Sequence, residues 1–280
     1  MKKKLFALMI LAIMVTGIIA GCGTKENKTD EQQNTTNENN QQEKKTDSQE
    51  KQEDKASTDE TDTIIVGTEA GFAPYEYMEG NEVVGIDMDI AQAIADSLGK
   101  KLVIKNMDFD GALMAVQNGT VDFVAAGVSV SEERKQVMDF SIDYVDSTEV
   151  VVVNKENPAV ANIEDLAGKI IGVQQGNIAD FYVEENIEAK EIKRYTKFAQ
   201  AAQDLLNNKI DCIVMDLYPA QELIASNEKL TMLDETLFED KYAIAVKKGN
   251  QELLDQINTV IQQLKDEGKI EEFTAKHTNK

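Results

Sequence analysis

From Asp62 onward, short apolar runs alternate with stretches in which apolar residues recur every three to four positions. Runs of the first kind fit half-buried or buried strands, and the second spacing fits amphipathic helices. Read this way, residues 63–68, 102–107 and 121–126 are strands, with helices over 88–98 and 110–117 between them. A second series follows, with strands at 169–173, 191–195 and 210–215 and helices at 178–185, 199–207 and 219–226. Alternating strands and helices predict parallel sheets covered on both faces. Two such series predict an α/β fold of two lobes. The apolar runs 149–154 and 241–246 are the expected crossings, and one last helix over 251–277 is expected to pack back on the first lobe. In open α/β sheets ligands bind beyond the carboxyl ends of the strands, so the cleft between the lobes is the expected site.

The pattern ahead of Asp62 is different. Lys2, Lys3 and Lys4 precede the apolar stretch 5–20, which runs into Ile19-Ala20-Gly21-Cys22. A cationic head, an apolar stretch too short for a membrane span and small residues before a cysteine form an export signal. The tetrad resembles the bacterial lipobox, which implies lipidation of Cys22. Residues 24–61 carry polar and charged side chains and one alanine, too little apolar surface to offset chain entropy. They are expected to be a disordered tether. The expected organisation is a signal over 1–21, lipidated Cys22 and tether over 22–61, a first lobe from 62–147 with 244–280, and a second from 148–243.

The formal net charge of -22 argues against nucleic acid and against a basic membrane-binding face. With Cys22 used by the anchor, Cys212 is left unpaired, and its place in an apolar run predicts a buried, inert thiol. His277 is the one histidine. It is expected in a fraying tail, and a lone histidine without a cysteine partner excludes the usual triads and zinc sites. No metal and no cofactor are expected.

The segments after the strands carry the candidate chemistry. They read Gly67-Thr68-Glu69-Ala70-Gly71-Phe72-Ala73-Pro74-Tyr75, then Val84-Gly85-Ile86-Asp87, Met107-Asp108-Phe109-Asp110-Gly111, and Ala126-Gly127-Val128-Ser129-Val130-Ser131-Glu132-Glu133-Arg134-Lys135. This ordered set resembles the polar amino-acid binding lipoproteins of bacterial ABC importers, extracellular solute-binding proteins with the type II periplasmic-binding-protein fold, from residue 63 to 278. The resemblance implies that Arg134 and Ser129 hold the ligand carboxylate, that Asp216 and the Gly127 carbonyl hold its ammonium, and that Phe72 and Phe109 sandwich its side chain. It also places Glu69 against the ligand's far end. The loop 172–178 resembles the second-lobe loop that donates backbone N–H groups, with Asn177-Ile178 departing from the commoner Gly-Thr or Thr-Thr pair.

The residue chemistry fits. A buried α-amino acid needs an opposite charge for each end, and arginine can grip a carboxylate with two parallel N–H bonds. Asp216 and Ser129 also suit helix caps, and Gln174 could face the ligand side chain. Tyr75 is expected to pack within its lobe. An acid at Glu69 with no second cation near the side-chain pocket points away from glutamate and aspartate and toward a cationic or amide side chain. The expected partners are a small amino acid, an ABC permease with its ATPase subunits, and the membrane through the N-terminal lipid, with the protein itself a monomer. Two other readings share the fold: a binding protein that signals to a membrane receptor, and a secreted dehydratase-like enzyme with Glu69 as its sole candidate base.

Overall fold

The computed structural model describes residues 62–278, so the signal, the Cys22 anchor and the tether lie outside the described residues. The chain opens with β1 (Thr63–Thr68), then a small antiparallel sheet of β2 (Gly71–Phe72), β3 (Glu76–Glu79) and β4 (Glu82–Val84). Next come α1 (Ile86–Ser97), β5 (Lys101–Asn106), α2 (Phe109–Asn118), β6 (Phe123–Val124), α3 (Glu132–Val137) and β7 (Met138–Phe140). The second stretch holds β8 (Val145–Asn154), β9 (Ile170–Gln174), α4 (Ile178–Asn186), β10 (Glu191–Tyr195), α5 (Phe198–Leu206), β11 (Cys212–Asp216), α6 (Leu217–Ala225) and β12 (Leu230–Tyr242). The chain closes with β13 (Ala245–Lys247), α7 (Gln251–Asp266) and α8 (Lys269–Thr278).

Two five-stranded sheets result, one per lobe. The first has the order β5-β1-β6-β13-β7 and the second β10-β9-β11-β8-β12. In the first, β1 runs parallel to β5 and β6; in the second, β9 runs parallel to β10 and β11. The strands that come from the crossings, β8, β12 and β13, pair antiparallel. The first crossing falls ahead of the expected run: residues 149–154 pair with β11 and β12 and belong to the second sheet. The second lies where β12 ends at Tyr242 and β13 begins at Ala245. There the two passages run side by side, with Val145 opposite Tyr242 and Ser147 opposite Asp240.

Burial follows the sequence periodicity. α1 buries Ile86, Ile90, Ala91, Ile94 and Ala95, the i, i+4 and i+8 rows of one face. α7 buries Leu254, Ile257, Val260, Ile261 and Leu264. The single terminal helix of the sequence reading is two helices, because the chain turns at Gly268, where φ is 68°. His277 is not in a fraying tail. It is buried, with Nε2 3.0 Å from Asp89 and Nδ1 2.9 Å from the Tyr77 hydroxyl. Cys212 is buried and free among the described residues, and burial pushes its thiol up to about 12. Among the described residues no helix is long and apolar enough to cross a membrane.

Candidate functional site

The sheet strands end at the cleft, and the side chains just beyond them meet across it. Glu69 follows β1 and is 1% exposed. Its carboxylate accepts from Gln174 Nε2 at 3.1 Å and lies 3.0 Å from Lys197 Nζ, both from the second lobe. The expectation that no second cation stands near this end is therefore corrected: Lys197, at the start of α5, is that cation. Gln174 also donates to the Thr196 carbonyl at 3.2 Å, which fixes its amide orientation.

Phe72 stacks on Phe198 of the second lobe with ring centroids 6.1 Å apart, and on Tyr75 at 5.9 Å. Phe109, the first residue of α2, carries the Arg134 guanidinium 5.5 Å above its ring. The two phenylalanines are both buried, yet each faces a side chain of this protein, Phe198 for one and Arg134 for the other. Tyr75 is buried but does not pack within its own lobe alone: it meets Tyr218 of α6 edge-on at 6.4 Å and Tyr242 at 5.0 Å.

Gly127 adopts φ 55°, and a Cβ there would lie 2.6 Å from the Phe72 ring. Its N–H donates to Asp87 Oδ2 at 2.9 Å, and Asp87 also accepts from the Tyr144 hydroxyl. Burial pushes Asp87 up to about 6, against the pull of these two donors. The loop that presents the Gly127 carbonyl is thus pinned from behind. Ser129 does not cap α3; Ser131 does, accepting from the Arg134 N–H at 3.2 Å. Ser129 instead bridges to Tyr242, and its hydroxyl is paired with Asp240.

Arg134 is 6% exposed. Nη1 donates to the Ser129 carbonyl at 2.6 Å, and Nη2 reaches across the cleft to the Gly176 carbonyl at 2.8 Å. Burial pushes its guanidinium down to about 10, while the charges of Asp240 and Asp216 push it back up. Asn177 caps α4 through the Ala179 N–H at 2.9 Å, and its amide lies 3.4 Å from Asp216. Ile178 begins α4 and shares a cavity of about 190 Å³ with Arg134, Phe181 and Phe238.

Asp216 is fully buried at the N-terminus of α6, but its side chain makes no cap bond. It accepts from the Tyr242 hydroxyl and lies 3.4 Å from Ser147 Oγ. Glu149 and Asp240 bring their carboxylates within 4.8 Å of Asp216. Among the described residues no N–H or O–H donor reaches either oxygen of Glu149. Burial, then the Asp216 charge, push the Glu149 carboxyl well above the usual carboxylate range.

The structure thus gathers Glu69, Phe72, Phe109, Gly127, Ser129, Arg134, Gln174, Asn177, Ile178 and Asp216 along one cleft. Sequence reasoning missed Lys197, Tyr242, Glu149, Ser147 and Asp240. Glu149 had a signal, a lone acid beside the apolar run Val150 to Val153. Lys197 had another, its position just past the end of β10.

A family model described as bacterial extracellular solute-binding proteins, family 3, matches residues 64–280. Among curated relatives, the arginine-binding extracellular protein ArtP of Bacillus subtilis (strain 168) is 29% identical over 218 residues, 76% of this chain and 85% of the relative. The L-cystine-binding protein TcyJ of Escherichia coli (strain K12) is 28% identical over 220 residues, 78% and 83% respectively. Among solved structures, a P235GK mutant of ArgBP from T. maritima superposes with TM-score 0.74 at 34% identity, covering 79% of this chain and 96% of that one.

Proposed function

The chain belongs to the bacterial extracellular solute-binding proteins of family 3, and from that premise we propose that it captures a polar amino acid for an ABC importer. The observation that carries this reading is a pair of buried, opposite charges on the two walls of one cleft. Arg134 comes from the first lobe and Asp216 from the second, both are buried, and the Asp216 charge supports the guanidinium's charged form. A zwitterion between them would answer both ends at once. The guanidinium fork holds five N–H groups, and its bonds to the Ser129 and Gly176 carbonyls engage one N–H on Nη1 and one on Nη2. Its remaining donors suit a carboxylate, with the N–H groups at the start of α4 beside it. Asp216 and the Gly127 carbonyl suit an ammonium.

In this reading Phe72 and Phe109 wall the ligand side chain, Ser129 adds a hydroxyl, and Glu69 with Gln174 meets the polar end group, an amide or a cation. Asn177 and Ile178 contribute the second-lobe loop. The first lobe is residues 62–147 with 244–280, the second 148–243, and ligand bridges both to hold the closed state. Such a site binds and releases without bond-making, so no catalysis is proposed. After removal of the signal over 1–21, lipidated Cys22 would hold a monomer on the outer face of the cell membrane, with residues 22–61 as tether, beside its permease and ATPase subunits.

A thermal-shift screen of the twenty amino acids and cystine tests this reading. A ligand bound only by the folded state adds about 2.7 kcal/mol at a hundredfold excess over its dissociation constant. One or a few polar amino acids should raise the melting temperature by several degrees. No shift with any of them would remove the reading.

A further inference from the structure

Glu69 is almost wholly enclosed, and an enclosed carboxylate is stable only with a compensating charge and hydrogen bonds. Here both come from the opposite lobe: the Lys197 ammonium at 3.0 Å and the Gln174 amide at 3.1 Å. Lys197 directly precedes Phe198, whose ring lies on Phe72. The ion pair therefore stands beside the aromatic stack and forms only when the lobes meet. With 40% of its side chain exposed, Lys197 can also withdraw toward solvent without disturbing the core.

We propose that Lys197 is the specificity-determining cation of the cleft and that, with Glu69, it selects a ligand whose end group is net neutral and offers both a donor and an acceptor. This rests on the reading of the cleft as an amino-acid site and names the ligand class within it. A lone cationic end group would approach Glu69 against a lysine already held on the same carboxylate. A lone anionic end group would meet Glu69 itself. An amide can donate to Glu69 and accept from Lys197 and Gln174, leaving every charge answered. The head of a second amino acid can do the same, ammonium to Glu69 and carboxylate to Lys197. Side-chain amides and the far end of cystine share this chemistry.

Isothermal calorimetry on the wild-type protein, Lys197→Met and Lys197→Arg separates the possibilities, with L-glutamine, L-cystine, L-arginine, L-lysine and L-glutamate as probes. Wild type should bind glutamine or cystine at least tenfold more tightly than arginine, lysine or glutamate. Tighter glutamine identifies the amide form and tighter cystine the double-headed form. Lys197→Met should move the ratio at least tenfold toward arginine and lysine, while Lys197→Arg keeps the wild-type ranking. A wild-type protein that prefers a charged end group, or a Lys197→Met variant whose ranking is unchanged, overturns the inference while the amino-acid reading stands. A wild-type protein that shows no binding to any amino acid overturns both.

Discussion

At the residue scale, Glu149 sets a carboxyl where no donor of the described residues satisfies it. Burial raises its folded value above that of the unfolded chain, so the folded protein holds this proton more strongly. Its stabilising share is then complete below the ordinary glutamate value, about 4.3, and is lost as pH rises through the higher folded value. Glu149→Gln keeps the shape and cannot ionise. Its free energy of unfolding in urea should match wild type near pH 4 and exceed it at pH 8 by about 1–3 kcal/mol, the usual cost of an unsatisfied buried group. An equal difference at both pH values would show that the folded protein holds the Glu149 proton no more strongly than the unfolded chain. An ammonium placed beside Asp216 would draw this proton off, so ligand binding near neutrality should release protons. Calorimetry in buffers of different ionisation enthalpy reads that release directly. Arg134, Asp216 and Phe72 were legible because strand ends mark the cleft and charge type marks the chemistry. Lys197 was marked only by its place past the end of β10 and Tyr242 by nothing, because what matters in them is contact with Glu69 and Asp216, 128 and 26 positions away in the chain, which no spacing encodes.

At the scale of elements, the helices and central strands were legible because their periodicity is strong: α1, α2, α4 and α5 begin within two residues of expectation. The small sheet of β2, β3 and β4 was not, since two to four residues leave no period to read. β12 was missed for another reason. Its run from Leu230 to Tyr242 is polar and irregular in register, and its pairing with β8 rather than its own pattern makes it a strand. The break between α7 and α8 is written in Gly268 alone. The start of α1 depends on Gly85 in the same local way. Gly85 has φ 139°, and a Cβ there would lie 2.0 Å from the Tyr75 carbonyl oxygen, which is backbone and cannot step aside. Gly80 also has positive φ, 63°, but a Cβ there meets nothing within 4 Å. Gly85→Ala should therefore cost about 3 kcal/mol or more, and Gly80→Ala about 1–2 kcal/mol, the left-handed penalty alone. Comparable losses in chemical denaturation would mean that the contact with Tyr75 is not what fixes α1.

At the scale of the molecule, the two lobes meet through Arg134 to Gly176, Gln174 and Lys197 to Glu69, Gln175 to Asp110, and Phe72 to Phe198. These contacts describe a closed cleft whose walls carry opposite charge at one end and a matched ion pair at the other. Outside the described residues, the anchor has its own test. Mass spectrometry of the membrane-extracted protein should find a chain that begins at Cys22 and carries lipid there, and an unmodified Cys22 would contradict lipidation. The central claim is that one amino acid is held by Arg134 on one wall and Asp216 on the other. Its most direct test is calorimetry of the best ligand from the screen against Arg134→Ala and Asp216→Ala, with folding of each variant verified. Each substitution should weaken binding at least tenfold, about 1.4 kcal/mol or more. Unchanged affinity in either folded variant would contradict the account.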